Sequence, residues 1–218
     1  MIVAIDGPAG AGKSTIANKL SQMLNIHHMD SGAIYRCYAL AAVEANLDTQ
    51  SPSDMQNIVK NSSVRADYSV TPAKFFLNNK EVGETIRENR ISSQVSFVAI
   101  HKCVRDAVVE NLRETSKEHN FVVEGRDIGS VVFPNAEHKF FLTASIEVRA
   151  KRRFRDLQSA GEDISFEQLC EDIERRDHID STRDIAPLTQ ASDAQLVDSS
   201  NMNIDEVVKH LNQMISPL

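Results

Sequence analysis

Residues 1–15 read MIVAIDGPAGAGKST. Ile2–Asp6 is a short apolar run bounded by Gly7 and Pro8, the pattern of a buried strand closed by a turn. From Ser14 the pattern changes, and Ile16, Leu20, Met23 and Leu24 recur at helical spacing. A strand, a turn almost bare of side chains and a helix follow one another, and Gly7 to Ser14 fits GxxxxGK[ST]. Successive N–H groups of such a turn converge on a concavity that suits phosphate oxygens. Side chains would block the approach, hence Gly7, Ala9, Gly10, Ala11 and Gly12, with Pro8 in the same loop. The helix that follows adds the partial positive charge of its N-terminus. Lys13 brings a full charge to the β- and γ-phosphates, and the Ser14 hydroxyl can ligate Mg²⁺. The stretch predicts a nucleoside triphosphate site, with ATP as the expected ligand.

Similar short strands are predicted at 121–125 (FVVEG), 139–142 (KFFL) and 195–199 (QLVDS), separated by helical stretches. Ser165 with Gln168 forms a capping box before a helix, and Asn203 precedes a final amphipathic run through Ile204, Val207, Val208, Leu211 and Ile215. Alternating strands and helices imply an α/β chain with a parallel sheet covered on both faces. One segment breaks the rhythm. Residues 64–86 first alternate and then run through KFFLNNKEVGE, with Asn78-Asn79 placed as a tight hairpin turn. A small antiparallel β insertion is therefore expected at about 62–92.

Composition narrows the function. With 31 acidic against 24 basic residues the net charge is −7, and aromatics make up only 6%, which argues against a polymeric nucleic acid as partner. A small anion held by a local basic cluster remains compatible with that charge. Three widely spaced cysteines without a CxxC pair, the lack of a leader-like start and the lack of any run of about 18 apolar residues predict a soluble, cytoplasmic protein with no membrane segment, expected to be a monomer.

A phosphate loop serves switches, motors and small-molecule kinases alike. The nearest match to a guanine-specifying NKxD element, Asn79-Lys80-Glu81-Val82, has Val where Asp is needed and falls in the hairpin. A motor ATPase would need more chain than 218 residues provide. A kinase needs a second anion site and cations that neutralise the transferring group. The chain offers Arg36, Arg105, Arg126, the run Lys151-Arg152-Arg153-Phe154-Arg155, Arg175-Arg176 and Arg183. Arg suits phosphate because its planar fork binds two oxygens. The KRRFR run, followed by Ser159-Ala160-Gly161, is expected to be a closing lid, the alternative being a solvated helix face.

DSGAIYR (30–36), EGRDIGSVVFP (124–134) and RRDHIDSTRDIAPL (175–188), in this order behind the phosphate loop, resemble bacterial cytidylate (CMP) kinases over nearly the whole chain. The resemblance implies a P-loop NTPase-type, five-stranded parallel sheet flanked by helices, with the antiparallel insertion and a helical lid. It divides the chain into core at 1–61, an acceptor-side insertion at 62–92, core at 93–147, lid at 148–165 and core at 166–218. It implies transfer of the γ-phosphoryl group of ATP to CMP or dCMP. Gly10, Gly12, Lys13, Ser14 and Thr15 would hold the ATP phosphates and Mg²⁺. Ser31 and Arg36 would lie at the acceptor nucleotide, with Arg36 and Arg126 on its phosphate, and Ser93, Arg105 and Asp127 would read the cytosine. Arg176 and Asp180 would engage the ribose and phosphate region, Arg183 would approach the transferring group, and the lid cations would come from Arg149, Arg152, Arg153 and Arg155, with Arg153 taken as the catalytic one.

Cytosine chemistry agrees with this assignment, since a carboxylate such as Asp127 accepts from N4 and Arg or Ser donate to N3 and O2. On the residues alone, Asp127 could equally pair with Arg126 or sit in a turn, and Asp30 could cap the helix after it. His27 and His28 read as strand residues without a third metal ligand. Two departures from the family pattern are visible: Lys13-Ser14 stands where some members have Lys-Gly, and RDHIDSTRD is less basic than Arg-rich versions. Kinases of another small acceptor, such as shikimate or dephospho-coenzyme A, and a non-catalytic ATP-binding module remain as alternatives.

Overall fold

Ile2–Asp6 forms strand β1 because Val3, Ala4 and Ile5 are fully buried and β-branched or small, and the chain turns at Gly7-Pro8. The computed structural model describes residues 1–159 and 165–215. In chain order its elements are β1 (Ile2–Asp6), α1 (Lys13–Leu24), β2 (His27–Asp30), α2 (Ser31–Glu44), α3 (Pro52–Asn61), β3 (Val64–Asp67), β4 (Lys74–Leu77), β5 (Lys80–Glu81), α4 (Asn89–Ser92), α5 (Val95–Val98), α6 (Lys102–Thr115), β6 (Phe121–Gly125), β7 (His138–Thr143), α7 (Ile146–Ser159), α8 (Phe166–Thr182), β8 (Gln195–Asp198) and α9 (Ile204–Ile215). They form a five-stranded sheet in the order β2-β6-β1-β7-β8 and a separate three-stranded sheet β3-β4-β5. The chain divides into two compact units, residues 1–26 with 120–218 and residues 27–119.

In the first unit β1 pairs in parallel with β6 on one side (Ile2 opposite Phe121, Asp6 opposite Gly125) and with β7 on the other, and β7 pairs in parallel with β8. All five residues of β6 are buried, as expected of a central strand in a parallel sheet. Val3, Ile5, Val122, Phe140, Leu142 and Val197 on one sheet face pack with Ile16, Ala17 and Leu20 of α1 and Val207, Val208 and Leu211 of α9. This cluster fixes where α1 begins, and so where the loop before it must turn. Helices α7 and α8 have a small cluster of their own: Ala150, Leu157, Leu169 and Ile173, with the rings of Phe154 and Phe166 meeting edge-on at 6.0 Å. Helix α8 starts with the expected capping box, Gln168 N–H donating to Ser165 Oγ at 3.1 Å and Ser165 N–H to Gln168 Oε1 at 3.3 Å. Asn203 and Glu206 form the same reciprocal arrangement before α9. The turn expected at Ser159-Ala160-Gly161 lies outside the described residues from Ala160 on, as does part of the 148–165 lid segment.

The second unit is built around α2. This helix is apolar on nearly every side, with Ala33, Ile34, Cys37, Leu40 and Ala42 fully buried. Helices α3 to α6 and strands β3 and β4 pack around it. The hairpin between β4 and β5 turns at Asn78 and Asn79, both left-handed with φ of 50° and 67°, the conformation a two-residue turn demands and Asn tolerates. The compact unit holding this small sheet is wider than the hairpin segment itself. Among the described residues no helix is long and apolar enough to cross a membrane.

Candidate active site

The loop from Gly7 to Gly12 joins β1 to α1 in the first unit. A Cβ on Gly7 would lie 2.0 Å from the carbonyl oxygen of Leu142 on β7, so this glycine is required by the neighbouring strand. Gly10 and Gly12 have φ of 74° and 88°, left-handed conformations that favour glycine. Gly12 is the N-cap of α1 and has no side chain to accept the first amides of the helix, so those donors remain for a ligand. Ser14 and Thr15 are exposed at this helix start. Lys13 is buried and its Nζ donates to the carbonyl of Pro8 at 2.8 Å. Burial, reinforced by Arg126, pulls its ammonium down to about 7 against the opposing effect of Glu124, Asp6 and Asp180.

Two side chains from α7 and α8 hold the loop at Ala9. The Ala9 N–H donates to Asp177 Oδ1 at 3.1 Å, Arg149 NH1 donates to the Ala9 carbonyl at 2.9 Å, and Arg149 and Asp177 pair at 2.5 Å. Arg149 Nε is fixed in turn by the carbonyl of Ala144 at 2.9 Å. One turn along α7, Arg152 donates to the carbonyls of Ala11 at 3.3 Å and Ser199 at 2.7 Å. Arg153 is half-buried and Arg155 exposed on the same helix.

Where β6 ends, charged groups gather. Asp6 accepts from the N–H groups of Ile128 and Gly129, both at 2.7 Å. Burial pushes its carboxyl up to about 6, with Asp127 adding to the effect and the two N–H groups and Lys13 opposing it. Arg126 Nε donates to Asp180 Oδ2 at 2.9 Å. Arg183 lies 3.6 Å from Asp127 and 3.9 Å from Asp180, and its Nε and NH2 donate to the Ala186 carbonyl at 2.8 and 2.6 Å. Burial works against the charged form of Asp180, but Arg126, Arg183 and Arg176 outweigh it and hold the carboxyl below the usual range. Arg126, Asp127, Asp180 and Arg183, named from sequence, thus form one network, with Arg176 close enough to act on it.

In the second unit Asp30 caps α2 by accepting from Ala33 N–H at 3.0 Å. Its other oxygen lies 3.9 Å from Arg36 NH1 and 3.8 Å from Arg87 NH2. Burial opposes its ionisation, yet Arg36, His28 and Arg87 hold the carboxyl below the usual range. Arg36 Nε is buried and makes no hydrogen bond among the described residues. Ser31 is buried at the start of α2. Arg105 is buried on α6, donates to the Ala99 carbonyl at 3.3 Å and lies over the Tyr35 ring at 5.8 Å. Ser93 is exposed and donates to the Arg90 carbonyl at 3.2 Å. Sequence reasoning missed Arg87 and Asp177. The signal for Asp177 was its place three residues before Asp180, on the same face of α8.

The family model for cytidylate kinase matches residues 3–217. A cytidylate kinase of Shouchella clausii is 44% identical over 213 residues, 98% of this chain and 95% of that protein. A cytidylate kinase of Pediococcus pentosaceus is 40% identical over 213 residues, 98% of this chain and 94% of that protein. A crystal structure of an uncharacterized protein from Eubacterium ventriosum superposes with a TM-score of 0.55 at 12% identity, covering 100% of this chain and 99% of that one, and shares the fold. With a phosphate loop braced at Ala9, an arginine–carboxylate network behind β6 and relatives matched from end to end, the chain belongs to the cytidylate kinase family.

Proposed function

We propose that the protein transfers the terminal phosphoryl group of ATP to CMP and dCMP, forming ADP and the nucleoside diphosphate. The observation that carries this reading is the uncapped start of α1 behind a bare loop, in the same unit as the Arg126–Asp180–Arg183–Asp127 network, in a chain of this family.

Each group has a task that follows from its chemistry. The loop amides and the first turn of α1 bind the ATP phosphates, and Lys13 leaves Pro8 to meet the charge that develops on the transferring group. Arg126 and Arg36 take the acceptor phosphate, and Arg183, Arg176 and Arg153 neutralise the equatorial oxygens during in-line transfer. No base is needed, because the acceptor is already an oxyanion at neutral pH. Asp127 accepts from cytosine N4, while Ser93 and Arg105 donate to its acceptors. Uracil would set its O4 against the carboxylate, and leaving such groups unmatched is what makes a polar site selective.

The residues present fit Mg²⁺. Ser14 offers an exposed hydroxyl, and Asp6 at the end of β1 and Glu124 one residue before the end of β6 are hard oxygen groups. Ser14 would hold the ion, which when bound neutralises phosphate oxygens. The test is an assay of ADP formation with a panel of acceptors. CMP and dCMP should stimulate it, and AMP or UMP proving the better acceptor would refute the assignment of Ser93, Arg105 and Asp127.

A further inference from the structure

We propose that Asp177 and Arg149 are positioning residues, a salt-bridged brace that sets the shape of the phosphate loop and makes triphosphate affinity depend on helices α7 and α8. The inference rests on the reading of this loop as the ATP site.

Both polar atoms of one loop residue are held by one ion pair: Asp177 takes the Ala9 N–H, Arg149 takes the Ala9 carbonyl, and the pair closes on itself at 2.5 Å. Arg149 has a third anchor in the carbonyl of Ala144, the residue that follows β7, so the loop is tied through it to the end of that strand. The backbone of α7 also backs the loop directly, since a Cβ on Gly10 would lie 3.1 Å from Arg149 Cβ and 3.3 Å from its carbonyl oxygen. A loop with glycines at φ of 74° and 88° has little intrinsic preference for that shape. Something outside the loop must select it, and the ion pair reaches it at Ala9, just before Gly10 with its φ of 74°. The pair also decides which donors serve a ligand. The Ala9 N–H is turned to Asp177, which leaves an anion to the amides that follow.

The chemistry of the pair supports a positioning role over a general contribution to stability. Arg149 is 6% exposed and Asp177 22%, so the pair is partly dry, and such pairs add little stability relative to apolar packing while fixing geometry. Asp177 acts through Ala9, and its α8 position makes the loop sensitive to where that helix lies. An isolated loop would have to be ordered by the triphosphate itself at a cost in affinity.

The test measures ATP and CMP binding separately by calorimetry, along with steady-state constants and thermal midpoints, for wild type, Asp177→Ala, Asp177→Asn, Arg149→Lys and the Arg149→Ala/Asp177→Ala double variant. Asp177→Ala should weaken ATP binding and raise KM for ATP about tenfold, with CMP affinity within about twofold of wild type. Asp177→Asn keeps an acceptor for the Ala9 N–H and should fall between the two, and Arg149→Lys should resemble it. The double variant should bind ATP no more weakly than Asp177→Ala alone, since the two side chains act as one unit. If Asp177→Ala does not fold, Asp177→Asn carries the same comparison. ATP affinity equal to wild type in the folded Asp177 variants would overturn the brace, as would a parallel fall of ATP affinity, CMP affinity and thermal midpoint. A wild type that bound no ATP would overturn the phosphate-loop reading itself and the brace with it.

Discussion

The Asp127 carboxylate lies 3.6 Å from the guanidinium of Arg183, at the end of α8, while its chain neighbour Arg126 turns instead to Asp180 at 2.9 Å. The residue proposed to read the base is thereby linked to a residue proposed to meet the transferring phosphoryl group. Asp127→Asn should lower kcat/KM for CMP about 10²-fold while leaving the low rate with UMP nearly unchanged, so the ratio of the two collapses. Side-by-side kinetics with CMP and UMP check it. An equal loss on both acceptors would place Asp127 in the transfer step only.

Lys13→Met should cut kcat/KM about 10²–10³-fold while the protein stays folded. Its pH behaviour follows from burial. Burial holds the ammonium at about 7 in the folded chain, and it returns to the ordinary lysine value of 10.5 on unfolding. The unfolded state therefore holds more protons between these values, and this group makes the nucleotide-free protein more stable as pH rises from 7. Urea midpoints of wild type and Lys13→Met, compared at pH 7 and 8.5, should converge as pH rises. A constant gap would contradict the buried, neutralised lysine.

Asp180 shows the opposite sign. Arg126, Arg183 and Arg176 hold its folded pKa below the ordinary aspartate value of 3.8, so its contribution is present above that value and is lost as pH falls through the folded one. Asp180→Asn leaves buried guanidiniums short of a partner and should cost about 3 kcal/mol at pH 7. The loss should shrink at pH 3, below the ordinary value of 3.8, because the unfolded wild-type chain then takes up a proton that the folded carboxylate resists. Chemical denaturation at the two pH values measures both.

Gly7 and Gly12 should respond differently to the same change. Gly12→Ala meets Ile16 Cδ1 at 3.6 Å and Arg152 NH1 at 3.9 Å, both ordinary contacts, and bears the left-handed backbone cost of about 1–2 kcal/mol, so it should fold. Gly7→Ala puts a carbon 2.0 Å from a main-chain oxygen on β7 and should fail to give a native near-ultraviolet spectrum. A folded Gly7→Ala protein would show that β7 can retreat.

Features that are local in the chain are legible from its letters. The strand, loop and helix of residues 2–24, the Asn78-Asn79 turn and the Ser165–Gln168 box each depend on residues within a few positions of one another. Resemblance names the residues around Asp180 but not their wiring, because the Arg126–Asp180 and Arg183–Asp127 pairs join residues far apart in sequence. The Asp127–Arg126 pairing that adjacency suggests gives way to Arg183, since Arg126 is held by Asp180 and its own carbonyl neighbour Gly125. The loop motif accounts for Gly7 as room for phosphate, and the strand beside it supplies a second reason. Asp177 could not be assigned from spacing alone, because its partner Ala9 lies at the other end of the chain.

The private cluster of α7 and α8 has a mechanical consequence. Because Ala150, Leu157, Leu169 and Ile173 pack together, the two helices share a core of their own, and the Arg149–Asp177 pair joins that helix pair to the loop. A shift of that helix pair would thus reach both peptide groups that meet at Ala9, and the Ala11 carbonyl through Arg152.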